Sequence, residues 1–522
     1  MLPLILMTIK GLILLAGGVF GFAALLRKED AAWVKRAPLW IFPGMFLIGM
    51  WGHSYWAAFV ALLVAIPLLA KGRADAAALY CVLTVSLPLM AQPLTAGSLY
   101  LISADKYLFC ALGVTAAFLM NRGQTQVSPR ARFGLPILIV VVLELSQTRD
   151  PSITATMRQS LPVLLTVLLP YFIISRSLNN AEDVRRFLLA FVLAGFVMAV
   201  IATVEARLHW LIYQQVEGRL GIHVAINGYA KMRAGTLRAP ASFPESTTLG
   251  TFLVLAFMSA LAIRNSFASR NKWYAVLFVL LLGLISANSR GAFIALAVGL
   301  LAWDVYCRRY VSLALKAAAA GGIYFFALFA AQFSAFFAAM VGKGSGTAAT
   351  TDYRMQLLRR GMEEIHKHPY LGQNLQTALS HLEDLRQGEG IIDLVNGYIS
   401  YGLTLGYPGI IGLALAFVSL CIAMWVARSK LRVNLALMEP AACVFAVATL
   451  SILNSFFTGF GGAASAGFYQ MCGLGSALWA MRKLAPAAQS ETGAVAAMPL
   501  SGVAAMIAAD RARAKAGAVA QS

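Results

Sequence analysis

The chain has 522 residues, 60% of them apolar and only 12% charged, with a mean hydropathy of +0.74. Soluble domains carry about 25% charged residues, so one water-soluble core is excluded and a bilayer is the medium this composition suits. The net charge of +20 would point to nucleic acid in a soluble protein, but here the placement of the charges argues against it.

A membrane-crossing helix needs about 20 mostly apolar residues. In chain order, fifteen segments are candidates, near 2–26, 37–50, 55–70, 76–94, 107–121, 133–147, 159–175, 186–204, 245–264, 273–287, 291–306, 312–334, 405–427, 437–457 and 465–481. The first is apolar from Met1 with Lys10 inside the run, which predicts a retained span and not a cleaved signal. Several segments are short, so the expected fold is an all-α, polytopic transmembrane bundle of about 12–15 spans. The chain divides into N-terminal spans (1–204), a first long loop (205–244), central spans (245–334), a second long loop (335–395), C-terminal spans (396–483) and an Ala-rich cytoplasmic tail (484–522).

Orientation follows from lysine and arginine. With the N-terminus outside, the cytoplasmic loops hold 22 of these residues, whereas the short outer loops hold only Lys106, Arg149, Arg158 and Arg290. This positive-inside bias puts both long loops outside and makes most of the basic excess topological, with no nucleic acid as partner. The six cysteines fall in or beside apolar segments, as buried free thiols do.

The candidate chemistry gathers in and beside the long loops. All six histidines fall on the outer side, but His366 and His368 are two apart and cannot share a helix face. HExxH and clustered Cys/His are absent, as are phosphate-loop and dinucleotide fingerprints, so no metal and no cofactor is expected. Segment 273–306 would be about 51 Å long as one helix and must turn, at the polar knot Ser286–Gly291. Arg290 then stands at the outer mouth of two helices, where an arginine is either functional or reaching for lipid headgroups.

The first long loop ends with Lys231, Arg233 and Arg238 just ahead of a span, a cationic funnel suited to an anion or to lipid phosphate. In the second, the apolar stripe Leu357, Leu358, Met362 and Ile365 predicts an amphipathic helix over 352–366, with Pro369 past its end. Arg354, Arg359 and Arg360 project from it, and the bland reading pairs Arg359 with Glu363 and Arg360 with Glu364.

The pattern S-R-G-A (Ser289–Ala292) precedes an arginine-bearing outer helix that ends in H-P-x-x-G (His368–Gly372). D-x-x-N-x-Y-I (Asp393–Ile399) and a G-x-x-G-I-I-G-L span entry (Gly406–Leu413) follow. Together these resemble the O-antigen ligase and O-antigen or exopolysaccharide polymerase superfamily. The resemblance implies an inner-membrane, periplasm-facing, metal-independent glycosyltransferase. Its substrate would be an undecaprenyl-diphosphate-linked oligosaccharide, and its acceptor a growing saccharide or lipid A core. Membrane lipids, and possible polysaccharide-assembly proteins, complete the implied partners.

Arginine's fork suits diphosphate oxygens, which singles out Arg290, Arg238, Arg233, Arg354 and Arg360. The acceptor hydroxyl needs a base, with His368, Asp393 and Glu245 as candidates, and Asn396 and Tyr398 as acceptor- or loop-positioning groups. Asp393 could instead cap a helix, Glu245 could pair with Arg238, and His368 could simply end its helix. Two positions depart from the ligase pattern. Val395 stands where a histidine often precedes Asn396, and Gln373-Asn374 follow Gly372 without a second glycine. The departures favour a polymerase over a ligase; a lipid-linked oligosaccharide flippase is the reading from another class, disfavoured by the scarcity of acidic residues inside spans.

Overall fold

The computed structural model describes residues 2–97, 99–121, 132–148, 152–221, 232–233, 235–343, 345–386 and 392–482. The Ala-rich tail and Lys231 lie outside these residues. The protein is an all-α polytopic membrane bundle. Among the described residues, eight helices are long and apolar enough to cross a membrane, and four shorter apolar helices accompany them.

The organising element is helix Ala181–Leu208. Asn180 caps it by accepting a hydrogen bond from the Asp183 N–H, and Glu182 and Asp183 favour the positive end of the helix dipole. Its apolar window is 83% buried, against none for Tyr310–Ala330. A helix apolar all round belongs in the centre when neighbours surround it and at the lipid boundary when they do not. Helices Leu2–Leu25, Arg73–Leu83, Ser246–Ala262 and Arg270–Ala287 pack around Ala181–Leu208. A second group, Arg290–Cys307, Tyr407–Leu431, Leu435–Asn454 and Gly462–Met481, packs beside it.

The span expected over 76–94 does not form. The helix ends at Leu83, and Ala91–Ala96 pairs antiparallel with Leu99–Asp105 as a hairpin. Pro88 and Pro93 lack the N–H that a continuing helix would need. The expected helix over 352–366 is longer, Ser345–Lys367. Cys81, Cys110, Cys443 and Cys472 are buried free thiols as expected, while Cys307 and Cys421 are half-buried.

Candidate active site

The site is built around the turn between helices Arg270–Ala287 and Arg290–Cys307. Asn288 takes the left-handed conformation (φ 47°), which asparagine tolerates better than most residues, and closes the first helix with its N–H on Ile285 O at 3.0 Å. The turn is then used twice by the first long loop. Asn288 O accepts from Arg233 Nη1 at 2.9 Å, and Asn288 Nδ2 donates to Thr236 Oγ1 at 3.0 Å. The short hairpin Met232–Arg233/Thr236–Leu237 is thereby laid against the start of the Arg290 helix, and Ala239 N–H donates to Ser286 O. Behind it, the buried Glu205 carboxylate accepts from the N–H groups of Ile212 (3.1 Å) and Ala241 (2.9 Å), fastening both ends of the loop to the central helix.

The second loop approaches from the other side. Leu357 and Ile365 of helix Ser345–Lys367 bury against Ala378, Leu382, Ile399 and Leu403. That packing turns Arg354 towards Phe457, whose carbonyl accepts from Arg354 Nη2 at 3.3 Å. Tyr353 donates to the Asp393 carbonyl at 3.0 Å, holding the Asp393 segment beside the same helix. Just before this helix, Gly342 lies so close to Arg290 that an added Cβ would stand 2.9 Å from Nη1.

Four arginines from distant parts of the chain therefore converge. Burial and then Arg238, Arg290 and Arg354 push the Arg233 guanidinium down to about 9. Burial also lowers Arg238, helped by Arg354 and Arg290 and opposed by Glu245. Arg354 is lowered by burial and by Arg290, with Asp393 opposing. Among the described residues, Glu245 and Asp393 are the carboxylates that oppose these four guanidinium groups. Buried Nε atoms of Arg238 and Arg354 have no hydrogen-bond partner. Like charges held together in a half-buried place cost stability, and an anion with several oxygens removes that cost.

Of the residues singled out in the sequence, Arg233, Arg238, Arg290, Arg354, Glu245 and Asp393 are brought together. Arg360 is not: it is bonded to Glu363 and Asp384 on the loop surface. The expected Arg360–Glu364 pair is replaced because Glu364 points inward, to Lys367 (2.7 Å), Gln373 (2.7 Å) and His381 (2.6 Å). Burial opposes its ionisation, but those partners hold its carboxyl down to about 2. Arg359 does pair with Glu363, at 3.2 Å.

His368 is exposed at the helix end, and its motif works as a clasp. Tyr407 N–H donates to Pro369 O at 2.7 Å, and Gln373 N–H to Leu403 O at 3.0 Å. Gly372 (φ 57°) and Gly406 (φ 70°) are the two positions where this contact demands glycine. A Cβ on Gly372 would fall 2.3 Å from Thr404 C, and one on Gly406 2.3 Å from Pro369 O. Asn396, not Asp393, caps helix Gly397–Leu405 by accepting from Ile399 N–H, and Tyr398 donates to Ile452 O at 2.9 Å. Tyr398 thereby ties this helix to Leu435–Asn454.

The sequence reading missed Phe457, Gly342 and the clamping role of Glu205. Only Glu205 left a signal, an acid at the end of an otherwise apolar span.

Residues 275–414 match the family model described as O-Antigen ligase. This segment is of the O-antigen ligase and polymerase superfamily. The matched O-antigen ligase-type segment takes in Arg290, Arg354, Arg360, His368, Asp393, Asn396 and Tyr398, while Arg233, Arg238 and Glu245 precede it. A domain of this type implies a membrane-bound ligase or polymerase that takes a lipid-linked glycan and an acceptor. A search of curated proteins finds no match to the chain.

Proposed function

We propose that the protein is a periplasm-facing, metal-independent glycosyltransferase of the inner membrane that polymerises O-antigen or exopolysaccharide repeat units carried on undecaprenyl diphosphate. The observation that supports this reading most directly is the convergence of Arg233, Arg238, Arg290 and Arg354 at the mouth of two spans, with a surplus of positive charge. A diphosphate at a membrane boundary is the anion such a place suits, and the basic bias of the opposite loops supports a mouth outside the cytoplasm.

The chemistry is a substitution at the anomeric carbon. The acceptor hydroxyl oxygen forms the new bond to C1, the C1–O bond to the diphosphate breaks, and the leaving diphosphate keeps the electron pair. The arginines meet the charge that develops on the leaving group, and each such preorganised donor contributes about 10²–10³ in rate. The hydroxyl proton passes to a carboxylate. Asp393 and Glu245 adjoin Arg354 and Arg238 and are the candidates that the arrangement favours over the exposed His368. Arg360 takes no part in this scheme.

Arg290→Ala tests it. The variant is expected to stay in the membrane, to make no polymer and to leave lipid-linked single repeats accumulating on the periplasmic side. Polymer that forms normally but fails to reach lipid A core would establish a ligase. Single repeats trapped on the cytoplasmic side would establish a flippase, and unchanged polymer with normal attachment would remove Arg290 from the site.

A further inference from the structure

Next to the arginine group lies a cavity of about 50 Å³, room for roughly three or four water molecules. It sits between helices Ser246–Ala262, Leu435–Asn454 and Gly462–Met481, and it adjoins the site at two points. Phe243, two residues ahead of Glu245, forms part of its wall. Thr458, the neighbour of the Phe457 that holds Arg354, forms another.

None of the lining side chains is charged, and polar residues, Asn454 and Gln470 among them, share the wall with apolar ones. Asn454 donates from Nδ2 to Thr251 Oγ1 (3.3 Å) and Thr458 Oγ1 (3.1 Å), which orients its Oδ1 away from both. That Oδ1 and Gln470 Oε1 are buried and have no hydrogen-bond partner. Both side chains line the cavity, and the residues are only 8% and 3% exposed. Phe243, Phe252, Phe460 and Phe468 also line it.

Buried carbonyl oxygens without donors cost stability, and a leucine or methionine would fill either position without that cost. Such a cost is retained where a ligand supplies the missing donors. Two acceptors ask for O–H or N–H groups, the absence of charge asks for a neutral ligand, and the aromatic wall suits a C–H face. Phosphate meets none of these requirements.

We infer that this cavity is a saccharide subsite, in which Gln470 and Asn454 accept hydrogen bonds from the hydroxyl- or amide-bearing edge of the sugar joined to the diphosphate. The volume takes one edge of a pyranose and not the whole ring, so the subsite reads a substituent. The inference rests on the glycan-transfer reading above. A site built to hydrogen-bond a sugar O–H or N–H discriminates strongly against analogues that lack it.

Gln470→Leu tests the subsite, with wild type and variant purified into nanodiscs. Each is titrated with undecaprenyl-diphosphate-linked oligosaccharide from the same cells, with sugar-free undecaprenyl diphosphate, and with the released oligosaccharide. The variant is expected to bind both glycan-bearing ligands about tenfold or more weakly, to bind the sugar-free lipid as wild type does, and to melt at the same or a higher temperature. Equal losses on all three ligands, no loss on any, or a lower melting temperature accompanied by loss of all binding would overturn it. A wild type that ignores both diphosphate lipids but binds the oligosaccharide through Gln470 would leave the subsite standing and remove the diphosphate reading. A wild type that binds none of the three would remove both.

Discussion

The two ends of the helix bundle differ in how much of their positive charge is met by carboxylates. At the end carrying the start of Ala181–Leu208, several cations are paired across helices, with Arg132 beside Arg176 as an exception. Arg185 bonds Asp30 and Glu182, Arg36 bonds Asp75, Arg264 lies 3.2 Å from Glu439, and Lys316 lies 2.8 Å from Asp304. At the other end, Arg233, Arg238 and Arg354 feel Arg290 and one another, and among the described residues Glu245 and Asp393 are the carboxylates that oppose them. Paired charge fixes helices to each other, whereas crowded charge lowers stability and is retained for what it binds. The same residue type therefore serves architecture at one end and recognition at the other.

This contrast can be broken by mutation, and the largest effect is expected at the crowded end. Arg354→Ala should lower polymer formation by about 10²–10³ in a membrane assay with native lipid-linked substrate, while the detergent melting temperature stays level or rises. Arg354→Lys should recover only part of the rate, since an ammonium cannot offer a two-pronged contact. At the paired end the pattern inverts. Asp30→Ala leaves Arg185 with Glu182 as its remaining ionic partner and should cost on the order of 1–2 kcal/mol in stability, with unchanged activity per folded molecule.

Arg233 gives a finer test because its proton affinity is already reduced, to about 9. A base with a depressed folded-state affinity destabilises the free protein while it is charged. That cost is relieved as pH rises through about 9 towards the ordinary arginine range, where the unfolded chain still holds the proton. Wild type should thus gain stability relative to Arg233→Gln across that window, and its affinity for undecaprenyl diphosphate should fall. Below pH 8 the order reverses, with Arg233→Gln melting higher and binding more weakly. A pH series of melting curves and titrations on both proteins distinguishes the two outcomes. The smallest effect is expected at Arg360, bonded on the loop surface to Glu363 and Asp384. Arg360→Ala should leave activity within about twofold of wild type.

Much of the membrane architecture was legible because a bilayer demands long apolar runs, and the helix carrying Arg354 showed its stripe. The run over 76–94 misled because hydropathy does not register missing N–H groups. Pro88 and Pro93 contained that information. The Arg360 partner was misassigned because i,i+4 spacing ignores which face is buried. Glu364 shares the inward face with Leu357, Gly361 and Ile365, leaving Glu363 outside. Arg290, Arg233, Arg238 and Arg354 were each visible as candidates, but their convergence depends on contacts that leave no local trace. The Asn288 carbonyl holding Arg233 and the Phe457 carbonyl holding Arg354 are backbone atoms, and any residue could supply them.

The clasp at Gly372 and Gly406 has a bearing on how such proteins diversify. The stretch from Gln373 to Leu405 leaves and re-enters the structure at one spot, because Gln373 is bonded to Leu403 and, just outside, Tyr407 to Pro369. Helix Ser345–Lys367 and span Tyr407–Leu431 are joined directly across that closure. Changes in the length of the excursion between them leave Arg354 in place only while Ala378, Leu382, Ile399 and Leu403 keep their packing on the helix that carries it. The excursion carries Asp393, Asn396 and Tyr398, so under the proposed reaction its alteration bears on the acceptor while the arginine group keeps its place.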